Sequence, residues 1–226
     1  MPTRCTNCFA KQFNFLESLT EKEKEQFQKN SSPMTLKKGD VVFFEDDVLQ
    51  HLYCIKSGAC KFSKSIGKND EYITDLLGKG DVMGRRSIIT QKGAMVTATA
   101  LEDTTLCCID KTPVVHSIKT NNDFCIDILK GFINDTKLDF ERTQYYNNHS
   151  SVKKRLAGLL LYLQNKFGVD TDGWLNISLK RDDMANILGT TSEYVISLLS
   201  HFKEKNYLNS KRGKLKLISI NALQSL

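Results

Sequence analysis

Between Met34 and Asp110 the chain alternates short β-favouring runs with turn signals, and this rhythm restricts the fold more than any other feature. The runs are Val41-Val42-Phe43-Phe44, Leu52-Tyr53-Cys54-Ile55, Tyr72-Ile73-Thr74, Met95-Val96-Thr97-Ala98-Thr99 and Leu106-Cys107-Cys108-Ile109. Between them lie Lys38-Gly39-Asp40, Ser57-Gly58, Gly67-Lys68-Asn69-Asp70 and Gly78-Lys79-Gly80-Asp81. Branched and aromatic side chains suit a pleated, half-buried surface, while Gly and Asn supply turn dihedrals. Many short strands with turns at this spacing predict an all-β sandwich or roll.

The flanks read differently. Residues 9–30 predict a helix, with Phe13, Phe15, Leu16, Leu19 and Phe27 on one side. Pro113 punctuates the chain after the roll. Residues 121–147 return to helix, and Ile126, Leu129, Ile133, Thr136, Phe140 and Thr143 follow 3-4-3-4 spacing. Such a stripe suits self-association of a long helix, and equally one helix packed on its own roll. Asn147-Asn148-His149-Ser150 reads as a hinge.

A helix is expected from Ser151 to about Lys166, built on Leu156, Leu159, Leu160 and Leu163, then a short strand over Trp174–Leu179. Arg181 to Phe202 follows as helix, glycine turn, helix. Ala185 is small where two helices must approach. Gly189 admits a positive φ at the turn, and Thr191 can cap the second helix. Val195, Leu198, Leu199 and Phe202 form its inner face. Ser192, Glu193, Ile196, Ser197, Ser200 and Lys203 point outward. Lys211-Arg212-Gly213-Lys214 turns between Tyr207-Leu208 and Leu215-Lys216-Leu217-Ile218 as a basic wing.

Charge supports a polyanion partner for this last part. Residues 1–149 hold 20 Lys and Arg against 20 Asp and Glu, whereas residues 150–226 hold 12 against 6, so the whole +6 lies there. No apolar run approaches the roughly 18 residues that span a bilayer, which argues against a membrane protein. The N-terminal residues lack a secretory pattern, and the seven cysteines are odd in number. A cytoplasmic chain with reduced thiols is expected. His51, His116, His149 and His201 show no ligand spacing, and no Gly-rich phosphate loop or Ser/His/Asp constellation stands out, so no enzyme is expected.

The order of roll, long helix and basic winged helix-turn-helix resembles the CRP/FNR family of bacterial transcription regulators over nearly the full length. The carrying residues are Lys38-Gly39-Asp40, Leu52-Tyr53-Cys54-Ile55-Lys56-Ser57-Gly58, Gly80-Asp81-Val82-Met83-Gly84, Arg155-Leu156-Ala157 followed by Leu160, and Asp183 through Leu199. Asn69-Asp70-Glu71-Tyr72-Ile73-Thr74 looks closer to the fumarate-nitrate regulator branch than to the cyclic-AMP receptor.

The resemblance implies an α+β fold in three parts. An N-terminal double-stranded β-helix (jelly-roll, cyclic-nucleotide-binding-like) domain with its N-terminal helix takes residues 1–120, a dimerisation helix 121–147, and a C-terminal winged helix-turn-helix 148–226. It further implies a homodimer on double-stranded DNA, reading a palindromic operator with two recognition helices about 34 Å apart. A signal at the roll would switch that dimer, and RNA polymerase is implied as a partner. Two other readings accompany it: an iron–sulfur or thiol redox sensor, and an effector-binding module that no longer reads DNA.

Three departures matter. Nucleotide-binding members place Glu after a Phe-Gly-like step and Arg further on. Here Met83-Gly84-Arg85-Arg86 puts Arg85 at the Glu position, and Lys92-Gly93-Ala94 puts Lys92 for Arg. Arg85 cannot accept a hydrogen bond from ribose hydroxyls, and Lys92 lacks a bidentate fork. Cyclic AMP is therefore not the expected effector. Gly84, Arg85, Arg86, Lys92 and Thr97 remain the effector-pocket candidates for another anion, with solvated surface as the plainer reading for the three cations.

Oxygen-sensing members hold an iron–sulfur cluster with four cysteines. Cys5, Cys8 and Cys107 match three positions, but the remaining one falls at Asn14, so the ligand set is incomplete. Cys54, Cys107 and Cys125 also sit in apolar stretches that suit inert core thiols. No zinc or other metal site is expected.

In the recognition helix, Glu193 matches the family's base-reading Glu and can accept from cytosine N4. Ile196 and Ser197 replace the following Ser and Arg, so the family's usual half-site is not expected. Thr190, Thr191 and Ser192 are candidates for phosphate or base at the helix N-terminus. Lys180, Arg181, Lys211, Arg212 and Lys214 are phosphate candidates.

Overall fold

The computed structural model describes residues 17–66, 70–142 and 151–226, and the chain divides into two compact units. Among these residues no helix is long and apolar enough to cross a membrane.

In the first unit, α1 spans Glu21–Lys29. It begins at Thr20, whose hydroxyl accepts from the Glu23 N–H at 3.3 Å while the Glu23 carboxylate accepts from the Thr20 N–H at 2.9 Å. The predicted helix over 9–30 is thus corrected. Residues 17–20 are turn and cap, α1 ends at Lys29, and residues 9–16 lie outside the described residues. Phe27 is buried edge-on to Phe124, ring centroids 5.8 Å apart.

The strands follow as β1 (Ser31–Leu36), β2 (Val41–Phe43), β3 (His51–Ser57), β4 (Cys60–Ile66), β5 (Asp70–Leu77) and β6 (Val82–Met83). After α2 (Arg85–Thr90) come β7 (Thr97–Ala100) and β8 (Thr104–Asp110). They form two four-stranded sheets, ordered β1-β8-β3-β6 and β2-β7-β4-β5. This is the expected roll.

Its continuous apolar runs have a physical reason. Alternate residues of β3 and β8 point to opposite faces, and both faces are covered. Leu52, Cys54, Cys107 and Ile109 meet Phe27, Ile88, Val114, Phe124 and Ile128 in one core cluster. Tyr53, Ile55, Leu106 and Cys108 meet Phe43, Cys60, Leu77, Met83 and Ala98 in a second, between the sheets. The edge strand β1 contains Pro33, paired in register with Cys107 of β8.

Two helices follow β8: α3 (Lys111–Thr120) and α4 (Asn122–Arg142). Pro113 does not end an element. It sits in the first turn of α3, where its missing N–H has no intrahelical acceptor to lose. Asp110 caps α3 by accepting from the Thr112 N–H at 2.7 Å.

The helix α4 has two apolar faces. Phe124 and Ile128 are buried in the first cluster and Phe132 packs against it. At 100° per residue the opposite face carries Ile126, Leu129 and Ile133, exposed by 48%, 54% and 71%. Self-packing on the roll therefore uses a different set of residues from the stripe seen in the sequence. Thr136 is exposed, the Phe140 side chain and Thr143 lie outside the described residues, and so does the expected hinge at 147–150.

The second unit contains α5 (Val152–Phe167), whose Leu156, Leu159, Leu160 and Leu163 are buried as expected. Trp174–Leu179 is not a strand. Leu175, Ile177 and Leu179 alternate inward, but the segment forms no ladder: it has an isolated bridge, Val169 with Leu175, and a backbone bond from the Leu175 N–H to the Leu215 carbonyl at 2.8 Å. Next come α6 (Arg181–Leu188), α7 (Ser192–Glu204), the antiparallel pair β9 (Leu208–Lys211) and β10 (Lys214–Leu217), and α8 (Ile220–Gln224).

Candidate nucleic-acid interface and effector region

The turn between α6 and α7 is built in three steps. Gly189 adopts φ +60° and its N–H reaches the Ala185 carbonyl, as does the N–H of Thr190 at 3.1 Å. Arg155 donates from Nη2 to the Leu188 carbonyl at 3.0 Å. Thr191 then starts α7, its hydroxyl accepting from the Tyr194 N–H at 3.3 Å. Val195, Leu198, Leu199 and Phe202 are buried, as are Met184, Ala185, Ile187 and Leu188 of α6. The angle of α7 is therefore set by packing, capping and a side-chain bond together.

This leaves Glu193, Ile196 and Ser197 exposed on the outer face. Ser192 is half-buried and donates to the Asp182 carboxylate of α6. Tyr194, 47% exposed, also stands on this helix. Neither Asp182 nor Tyr194 was among the sequence candidates. Asp182 reads as an ordinary acidic residue at a helix start, and an aromatic inside an amphipathic run reads as core. Lys180 is exposed. Arg181 is half-buried, with Nη1 3.7 Å from Met184 Sδ, and burial lowers its pKa from the ordinary guanidinium value.

The wing is a tight hairpin. Lys211 pairs with Lys214, and Arg212 and Gly213 take φ +49° and +83°, the positive pair that a two-residue hairpin turn requires. Ser178 Oγ donates to the Gly213 carbonyl at 3.3 Å and ties the wing tip to the 174–179 segment. Lys211, Arg212 and Lys214 are exposed, and Lys214 Nζ stands 3.9 Å from Asp170. With Lys180 they give this unit four exposed cations on the wing and at the start of α6.

In the roll, Gly84 precedes α2 at φ +89°, where a Cβ would also press on the His51 carbonyl at 3.1 Å. Arg85 opens α2 with its guanidinium carbon 5.6 Å from the Phe132 ring centroid of α4. Arg86 is exposed, with Nη1 3.0 Å from Met95 Sδ. Lys92 is exposed, and its carbonyl accepts from Ser87 Oγ at 2.6 Å. Thr97 Oγ1 accepts from the Glu45 N–H at 3.0 Å.

Arg86 and Lys92 thus match the solvated reading, whereas Arg85 lies against the long helix. Where the resemblance implies a ribose-binding carboxylate, the chain places Arg85 with its guanidinium against an aromatic ring, and Arg85 has no acceptor to offer a hydroxyl.

Cysteine placement is equally specific. Cys107 of β8 stands opposite Cys54 of β3, and both are buried in the apolar cluster under α4. Cys125 is half-buried. Burial pushes the Cys60 thiol up to about 12, so it is a protonated core group at neutral pH. Cys5, Cys8 and Asn14 lie outside the described residues. Among the described residues no three His, Cys, Asp or Glu side chains are grouped to hold a metal ion.

Comparison with known proteins follows this division. Residues 33–121 match the cyclic nucleotide-binding domain, and residues 154–226 match the Crp-like helix-turn-helix domain. The chain is 28% identical over 180 residues to electron transport regulator A of Shewanella oneidensis, covering 78% of this chain and 70% of that one. It is 26% identical over 225 residues to the fumarate and nitrate reduction regulatory protein of Vibrio cholerae, covering 98% and 89%. FixK2 from Bradyrhizobium japonicum shares the fold at TM-score 0.75 and 17% identity, over 87% of this chain and 96% of that one. The chain belongs to the CRP/FNR family of transcription regulators.

Proposed function

We propose that this chain is a cytoplasmic, homodimeric regulator that reads a palindromic DNA operator with α7 and anchors it with the wing. The observation that carries the reading is the outer face of α7. A capped, buried-backed helix presents Glu193, Ile196 and Ser197 to solvent, and the same unit exposes the cations Lys180, Lys211, Arg212 and Lys214. Helix N-termini and cations bind phosphate, which positions the helix, whereas side chains in the groove specify sequence.

Glu193 accepts from cytosine N4 and Ile196 packs on a thymine methyl. Thr190, Thr191, Ser192, Ser197 and Arg181 complete the contacts. With Ser197 where the family reads guanine, the half-site differs from the family's usual one. Dimerisation uses Ile126, Leu129 and Ile133, the apolar stripe that the roll does not cover, and RNA polymerase is the partner on the bound promoter. The signal acts at the roll and is not cyclic AMP.

Selection of bound duplexes from a random pool tests the readout. The wild type is expected to enrich a palindrome, and Glu193→Ala to lose its preference at one base pair per half-site, roughly 1–3 kcal/mol of discrimination. Unchanged preference in the variant would remove Glu193 from the readout. Failure of the wild type to retain duplex DNA at low salt would remove the whole reading. Isothermal titration is expected to show no micromolar binding of cyclic AMP.

A further inference from the structure

We propose that Arg85 is the positioning residue that seats the long helix on the roll, and that Gly131 is its seat. The first observation is the platform. The left-handed backbone of Gly84, where a Cβ would crowd the His51 carbonyl, turns the chain from β6 into α2. Ile88, one turn further along α2, is buried with Phe124 and Ile128 of α4. The base of the Arg85 side chain is thus fixed with respect to α4 before its guanidinium makes any contact.

The second observation is the seat itself. The Arg85 guanidinium lies over the Phe132 ring, a cation–π arrangement. A Cβ built on the neighbouring Gly131 would collide with Arg85 Nη1. Glycine is the poorest helix former apart from proline, yet here it stands inside a 21-residue helix. It leaves room for the guanidinium in this position, and a side chain there requires the flexible Arg85 tip to shift. At 100° per residue Gly131 lies opposite Ile126, Leu129 and Ile133, and Phe132 stands between the inner face and that stripe, about 60° from Leu129. Seating the inner face therefore fixes the direction of the outer stripe.

The link between roll and helix is accordingly made from the chain's own side chains. Arg85 has a counterpart on α4 in the Phe132 ring. Lys would keep the charge but not the planar stack.

A double-mutant cycle on the full chain tests this. Amide exchange of α4 is read by mass spectrometry, with β3 and β8 as internal references for an intact roll. Arg85→Ala is expected to speed exchange around residues 128–134 by about three- to tenfold, the range of one cation–π contact, and to leave β3 and β8 unchanged. Gly131→Leu is expected to speed exchange in the wild type, where Leu meets the guanidinium, but in the Arg85→Ala background to leave exchange unchanged or slow it, because Leu is the better helix former. Arg85→Lys is expected to restore only part of the protection.

Equal effects of Gly131→Leu in both backgrounds, or unchanged α4 exchange in Arg85→Ala, would overturn the proposal. Loss of protection in β3 and β8 as well would overturn it too, showing a general structural role. The readout needs no DNA, so its outcome stands apart from the operator selection.

Discussion

Arg155 on α5 and Leu188 at the end of α6 meet through one hydrogen bond, Nη2 to carbonyl oxygen at 3.0 Å, immediately before the Gly189 turn. A helix-end carbonyl without an intrahelical partner is thereby satisfied, and the turn that launches α7 is fixed from behind. Arg155→Ala strands that carbonyl. The expected cost is about 1–3 kcal/mol in urea unfolding of the C-terminal unit, with faster amide exchange at residues 189–191. Retained protection there would show that packing alone holds the turn.

The cap of α7 is a separate contribution. Thr191→Ala removes the acceptor for the Tyr194 N–H and is expected to destabilise by about 1 kcal/mol. Thr191→Ser should recover most of it. If both variants weaken DNA equally while Ser restores stability, the threonine methyl contacts the operator.

The wing's cations should appear in the salt dependence. Arg212→Ala and Lys214→Ala are each expected to lower the slope of log affinity against log salt by about 1, with sequence preference unchanged. A change of preferred bases would show that the wing reads bases rather than phosphates.

The helix α4 provides a test of assembly. Leu129→Glu places a charge in the exposed stripe and is expected to raise the dimer dissociation constant about 30-fold or more, measured by sedimentation. Inward-facing Ile128→Ala should instead lower the melting temperature.

Asp110 carries a pH signature. The Thr112 N–H bonded to it, with its burial opposing, holds its carboxyl below the usual carboxylate range. A depressed carboxyl stabilises the fold above its unfolded pKa and loses that contribution as pH falls through the folded value. Asp110→Asn keeps an acceptor without titrating. Between pH 5 and 3 its urea midpoint is expected to fall less steeply than the wild type's.

Particular residues show what was legible in the chain and what was not. The Gly189 turn, the Thr191 cap and the inner face of α7 are local, so spacing alone revealed them. The β3 and β8 runs were legible as strands because their apolar residues are continuous, the mark of burial on both faces. Trp174–Leu179 misled because inward alternation is satisfied there by packing, while its backbone pairing stops at single bonds around Leu175 and does not continue as a ladder. The stripe of α4 was legible, but its second face was not, since Phe124, Ile128 and Phe132 match the same period. Arg85 was least legible of all. It read as a substituted ligand contact on the surface, and only the fold brings Gly131 and Phe132 to it.

Pro33 in β1 has a consequence for how copies of the chain meet. β1 is the open margin of its sheet, where unpaired amides invite a strand from a neighbouring molecule. A proline there withholds one of the donors such a strand would need. Strand addition from a neighbouring roll is discouraged at that margin.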